Sequence, residues 1–412
     1  MKKYQFLFLS VLLLFAACAS EEVKVEELAP ATTFGNLRTV DEAVIIAKEM
    51  YGLRSNSRAT VDVADVAVIG SSASRSSNDT LIYAINFADN KGFTLVSAAK
   101  EGIDVIGYSD EGIFNAKEAS ENPAFNYYLD IAKNYVGEMV NGGTYPGGGL
   151  IPDPSYPTMK DIVSISNRIN VKWGQNYPEG MSCPNGIAGC AQTAMAQLFT
   201  YIEKPTSINY TCGEFGISTE TLNWSTLSTH ETSCGNIQEY NRHLNECKVP
   251  SSTHSTLSRL CRELGYRNNA TYSQDATGAY PTNIIQTLRT LLPSNEIVGY
   301  LSFTKPYDAL FNKLNSRDCV AYIIGYATDK NDKTVGHGWI CDGGYDVIST
   351  TKALSFSGEW ITKEEHSYYY HFNWGWNGLH NGNFSAGVFE VEINGDKYDF
   401  GQDLSYFLVY KN

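Results

Sequence analysis

Apolar positions first fall into a helical rhythm from Val40 to Tyr51, where Ala43, Ile46, Ala47 and Met50 share one stripe and Asp41 stands near the start as a cap. A polar, serine-rich segment, Ser55 to Ser77, follows, with a short apolar piece inside it. The rhythm then becomes strand-like. Leu81 to Phe87 and Gly92 to Ser97 flank Ala88-Asp89-Asn90-Lys91, which predicts a hairpin, and Val105 to Ser109 predicts a third strand. Phe125 to Val140 carries an aromatic and aliphatic stripe and predicts a second helix. Residues 40–140 therefore read as a small α+β domain.

Asn141 to Gly149 is the most glycine-dense stretch of the chain, and Pro152, Pro154 and Pro157 come soon after. Residues 141–160 are thus expected to be an exposed linker, open to proteolysis. The second domain, residues 161–412, opens with mixed loops and a strong helix after Cys190. It closes on β-type runs at Val320 to Tyr326, Gly338 to Cys341, Tyr368 to Phe372 and Tyr406 to Tyr410. No internal repeat or coiled-coil heptad is present.

Ahead of both domains, Lys2 and Lys3 precede a run of about ten apolar residues, Phe6 to Phe15, too short to span a bilayer as a mature helix. Phe15-Ala16-Ala17-Cys18 resembles a bacterial lipobox, which implies a signal peptide over residues 1–17 and a lipidated Cys18; an ordinary cleaved signal peptide is the alternative. Residues 18–39 are expected to form a tether. The protein is expected to be exported, as an outer-membrane or surface lipoprotein that meets the membrane only through its lipid, with release after processing as the alternative.

The formal net charge of −14 argues against nucleic acid or an anionic membrane surface as a partner, because both call for basic patches. An apolar fraction of 43% with 18% charged residues is that of a globular chain. Besides Cys18 there are eight cysteines, none in a CxxC pair, so a zinc knuckle or a thioredoxin-type motif is not expected. Export permits disulfides, and buried free thiols are equally open.

The chemistry concentrates around Cys190. Two glycines, Gly186 and Gly189, precede it, and Ala194, Met195, Leu198, Phe199 and Ile202 then fall on one helical face, with Pro205 as the stop. Cys190 is therefore expected in the first turn of a helix, whose partial positive charge favours the nucleophilic thiolate. A nucleophilic thiol needs a base. Of seven histidines, His337 starts an apolar strand directly after a polar loop, Thr328 to Thr334, and can face a cleft from a rigid backbone. Asn373 is the candidate acceptor for the other imidazole N–H, with Trp374 shielding that bond. His366, His371 and His380 read as ordinary surface or strand residues. Gln175 is the candidate side-chain partner of the Cys190 N–H in an oxyanion hole.

The segments Trp173-Gly174-Gln175-Asn176-Tyr177-Pro178, Ala188-Gly189-Cys190-Ala191-Gln192-Thr193-Ala194-Met195-Ala196-Gln197, Gly336-His337-Gly338-Trp339-Ile340-Cys341-Asp342-Gly343 and Asn373-Trp374-Gly375-Trp376 occur in the order of the streptopain family of papain-like cysteine proteases, which the chain resembles. The strands Gly92 to Ser97 and Ile106 to Ser109 resemble the core of that family's propeptide. The resemblance implies an α+β, papain-like two-lobed protease domain behind an inhibitory prodomain that occupies the site until it is cleaved. It implies an endopeptidase acting on proteins or peptides, with a preference for bulky apolar residues at the second position before the cut. No cofactor and no metal are implied. Carried over by position, Cys190 is the nucleophile, His337 the general base and Gln175 the oxyanion donor, while Asn373 and Trp374 support the histidine. Asn377 after Trp376, the extra cysteines, the long Thr328–Thr334 approach and the altered segment Tyr272 to Ala279 depart from the family and bear on loop shape and specificity. Action on a non-protein amide and a catalytically dead binding protein are the rival classes.

Overall fold

A computed structural model describes residues 37–55, 61–70, 80–140, 151–152, 158–230, 234, 236–246, 251–303, 307–328, 334–354, 359–393, 396–399 and 404–411. Cys18, the leader and most of the tether and linker lie outside these residues. Among the described residues no helix is long and apolar enough to cross a membrane.

The first domain follows its sequence pattern closely. Helices span Val40–Ser55 and Pro123–Val140, and strands span Thr80–Phe87, Phe93–Ser97 and Val105–Ser109. The apolar piece inside the serine-rich segment is a further strand, Val63–Gly70, paired antiparallel to Thr80–Phe87. These four strands do not form a separate sheet. Tyr108 and Gly107 pair with Asn383 and Phe384 of strand Gly382–Ser385, so the sheet runs on into the second domain. It continues through Trp360–Asn373, Thr334–Leu354, Cys319–Thr328 and Ser405–Tyr410 to Ile297–Ser302, antiparallel throughout. Strand Met159–Ile165, at the C-terminal end of the expected linker, adds a branch on Thr334–Leu354.

Strand alternation divides the second domain's sheet into two buried faces. Cys319, Ala321, Ile323, Trp339, Cys341, Tyr406, Leu408 and Tyr410 share one core with the helix Pro123–Val140 and the first domain's strands. Val320, Tyr322, Ile324, Ile340, Phe407 and Val409 share the other with the helices Cys190–Ile202, Ser251–Arg267 and Pro281–Leu291. Burial on both faces explains why these strands read as continuous apolar runs. The result is α+β, a helical lobe against an antiparallel sheet, in the two-lobed arrangement expected from the sequence. All seven described cysteines of the second domain, Cys183, Cys190, Cys212, Cys234, Cys261, Cys319 and Cys341, carry free thiols; Cys247 lies outside the described residues.

Candidate active site

Cys190 is the first residue of the helix Cys190–Ile202. Its N-cap, Gly189, has φ +90°, a backbone state that L side chains rarely adopt. A Cβ there would also lie 2.6 Å from the Thr277 carbonyl oxygen. Glycine thus sets the turn that presents the thiol. The backbone N–H groups of Gly338, Ala191 and Cys190 itself lie near the sulphur and favour its thiolate form. The Gly338 contact matters most, because it joins the start of the helix to the residue directly after His337. Burial raises the thiol's pKa, and the three N–H donors oppose that shift.

His337 pairs with Gly325 across the sheet and, by alternation, lies on the face of Trp339. Burial pushes its pKa down to about 4, although its surface is still partly accessible. Among the described residues no hydrogen bond or ion pair joins its ring to Cys190. Neutral thiol and neutral imidazole are therefore the resting forms at neutral pH. A Cβ on Gly325 would meet ring atoms of Trp339 at 2.8 Å and of Tyr127, from the first domain's helix, at 2.9 Å. Only glycine lets that helix settle so closely opposite His337.

The segment Trp173–Gln175 is strapped to the Cys190 helix. The Ala188 N–H donates to the Gln175 carbonyl at 2.7 Å, Thr193 Oγ1 to the Gly174 carbonyl at 3.0 Å, and Gln197 Nε2 to the Trp173 carbonyl at 3.4 Å. Gln175 is thereby held beside the turn that delivers Cys190, with its side chain half-buried.

Asn373 is placed differently from the expectation. Its Oδ1 accepts from Gln197 Nε2 at 3.1 Å and from the Gly375 N–H at 3.3 Å, and its Nδ2 donates to the Val171 carbonyl at 2.9 Å. Both lone pairs of the oxygen are used, so the bond to His337 is not made here. Asn373 instead ties the strand Trp360–Asn373 to the helical lobe. Trp374 therefore has no such bond to shield. Its Nε1 donates to the His380 carbonyl at 2.8 Å, and its ring packs 5.3 Å from Trp339 and 5.9 Å from Phe125. Gln197 was not singled out from the sequence. Its signal is a polar residue two turns after Cys190 on an otherwise apolar helix face.

His366 and His371 are strand residues, as read. His371 Nδ1 lies 2.6 Å from Asp342 Oδ1, while Asp342 Oδ2 accepts from the backbone of Arg168 and Ile169. His366 Nδ1 lies 2.7 Å from Asp346. His380 is not an ordinary surface residue. It stacks on Phe125 at 4.5 Å and is ringed by Phe93 and Phe114, all from the first domain, and burial lowers its pKa to about 4.

Comparison with known proteins gives a consistent picture. The peptidase C10 family model matches residues 170–384, and the Spi protease inhibitor model matches residues 36–136. The chain is 24% identical over 342 residues to the thiol protease/hemagglutinin PrtT of Porphyromonas gingivalis, covering 74% of this chain and only 34% of that protein. It is 23% identical over 380 residues to streptopain of Streptococcus pyogenes, covering 84% of this chain and 82% of that one. Among solved structures, a fragment of Prevotella intermedia prointerpain A superposes with a TM-score of 0.53 at 19% identity, covering 84% of this chain and 98% of that one, a likeness of fold.

Proposed function

The chain belongs to the peptidase C10 family, and from that premise we propose that it is a cysteine endopeptidase, made as a zymogen, that works through Cys190 and His337. The observation that carries this reading is the closeness of the Gly338 N–H to the Cys190 sulphur, which sets the thiol beside the residue that follows His337. In the working enzyme, His337 takes the thiol proton and the sulphur attacks the scissile carbonyl carbon. The oxyanion accepts hydrogen bonds from the Cys190 N–H and the Gln175 amide. Collapse breaks the C–N bond, and His337 returns the proton to the leaving amine. Water, deprotonated by His337, then hydrolyses the thioester and restores the thiol.

The inhibitor-type first domain supports self-restraint. Its Tyr127 lies against the His337 side of the sheet, opposite Gly325, so on this reading the domain covers the imidazole until it is released. While the linker is intact, the domain's effective concentration is of the order of mM. A cut within residues 141–160 removes that advantage. Export on a lipid-anchored Cys18 is part of the same proposal: palmitate should label the precursor, and the Cys18→Ser precursor should stay unlabelled.

The test uses Cys190→Ala and His337→Ala precursors against wild type, followed by gel and by hydrolysis of casein and a fluorogenic peptide. Both variants should stay uncut and inactive, and the double variant should be little worse than either. Casein cleavage by Cys190→Ala protein would refute the assignment. Labelling of Cys190 by a thiol-directed inhibitor without casein cleavage would favour a non-protein amide substrate.

A further inference from the structure

Three histidines that the peptidase reading does not use meet inside the helical lobe. His230 follows the short helix Trp224–Leu227, His243 lies in the last turn of Ile237–Glu246, and His254 lies in the first turn of Ser251–Arg267. One ring nitrogen from each lies within 4.8 Å of the other two. Glu179, four residues after Gln175, lies at the edge of this group beside His230, with Oε1 3.5 Å from His230 Nε2.

The burial makes this arrangement costly as it stands. His254 and Glu179 are fully buried and His230 is 1% exposed. Neither ring nitrogen of His230 or His254, nor Nε2 of His243, nor either oxygen of Glu179 has a hydrogen-bond partner among the described residues. A buried carboxylate without a hydrogen bond is among the most expensive groups a protein can hold. Three imidazoles that converge from three chain segments, with a carboxylate beside them and no hydrogen bonds to any of the four, are what a bound cation would satisfy.

We propose that His230, His243, His254 and Glu179 bind a structural Zn²⁺ ion. Three neutral imidazoles and one carboxylate form a closed, four-coordinate N₃O set with one negative charge, which suits a divalent transition metal better than the all-oxygen sites of Ca²⁺ or Mg²⁺. Tetrahedral bonds of about 2.0–2.1 Å put ligand atoms roughly 3.3 Å apart. The 3.5 Å between His230 and Glu179 is already close to that; the imidazole nitrogens, within 4.8 Å of one another, and Glu179 draw together as the ion binds. The His230 carbonyl also accepts from Trp173 Nε1 at 2.5 Å, so the ion would brace the Trp173–Glu179 segment, and Gln175 with it, against two helices.

The test uses the full-length Cys190→Ala precursor, which lacks both self-cleavage and the reactive thiol. It is stripped with a chelator, reloaded with zinc and desalted. Elemental analysis should find about one zinc per chain, and the reloaded protein should melt several degrees above the stripped one. His243→Ala, at a half-buried position, should lose the ion, while His366→Ala should keep it. Loading with Co²⁺ should give the intense visible bands of a four-coordinate centre, a readout on the parent protein should a variant fail to fold. Zinc content far below one per chain, equal retention by His243→Ala, or only the weak spectrum of hydrated Co²⁺ would each overturn the proposal; equal retention would place the ion on the free thiols instead.

Discussion

The strand Thr334–Leu354 has two covered faces, and they are covered by parts of the chain with different ties to it. On one face Ile340 packs with Tyr322, Ile324 and Phe407 under the Cys190 helix, all within the second domain. On the other, Trp339 packs with Trp374 and with Tyr127 of the first domain, and His380 sits among Phe93, Phe114 and Phe125. Neither face is less well packed. What differs, under the proposed processing, is permanence: a cut in the linker would leave the first face intact and let the second dissociate. The thiol belongs to the permanent face and the imidazole to the removable one. On the proposed reading, a precursor built this way is fully folded before its nucleophile and base can work together.

Substitutions that touch one face and spare the other sharpen this contrast. The largest effect is expected at Gln175. Gln175→Ala should lower kcat of the mature enzyme by about 10²- to 10³-fold, while inhibition by added first domain stays unchanged. A matching loss of inhibition would mean that the two faces are coupled. On the removable face, Phe125→Ala in the isolated first domain should weaken inhibition in trans by roughly 30-fold, the effect of losing about 2 kcal/mol at an interface anchor. Hydrolysis by the mature enzyme alone has no reason to change. An unaltered inhibition constant would leave the domain a spacer.

The smallest effect concerns acid. His380 is held near 4 in the docked state and returns toward about 6.5 when the domains part. The separated form therefore binds more protons, so docking is strongest above about pH 6.5 and weakens as pH falls toward 4. At pH 5.5 the weakening from this residue should be roughly tenfold. His337 and His254 share the direction, both lying near 4, so acid also lowers the stability of the whole fold over the same window. His380→Phe should flatten the pH dependence of inhibition and leave that general acid sensitivity in place. An unchanged slope would remove His380 from the account.

How much of this was legible in the sequence follows from how each element is buried. Strands buried on one or both faces announced themselves, as did the Cys190 helix, where Ala194, Met195, Leu198, Phe199 and Ile202 keep an apolar stripe beside the buried Gln192, Thr193 and Gln197. The helix Ser251–Arg267 did not, because its buried positions include Thr253, His254, Ser258 and Glu263 among the leucines, which erases the apolar stripe. Strand Val63–Gly70 was hidden by the serine-rich residues on both sides and by a largely half-exposed pattern. At the site, Cys190, His337 and Gln175 could be placed from local pattern and family likeness. The direction of the Asn373 amide could not, since it is set by Gln197 and Val171, distant in sequence. The histidine cluster was invisible for the same reason: its members come from separate segments with no ligand spacing among them.

The central claim is that Cys190 is the one activated thiol and that the first domain controls it. Treating linker-cleaved protein with a peptidyl epoxide and mapping adducts by mass tests this directly. Of the nine cysteines, the account predicts labelling at Cys190 alone, lost in His337→Ala and slowed by excess first domain. Adducts spread over other cysteines, or labelling of Cys190 that neither His337→Ala nor the first domain alters, would contradict it.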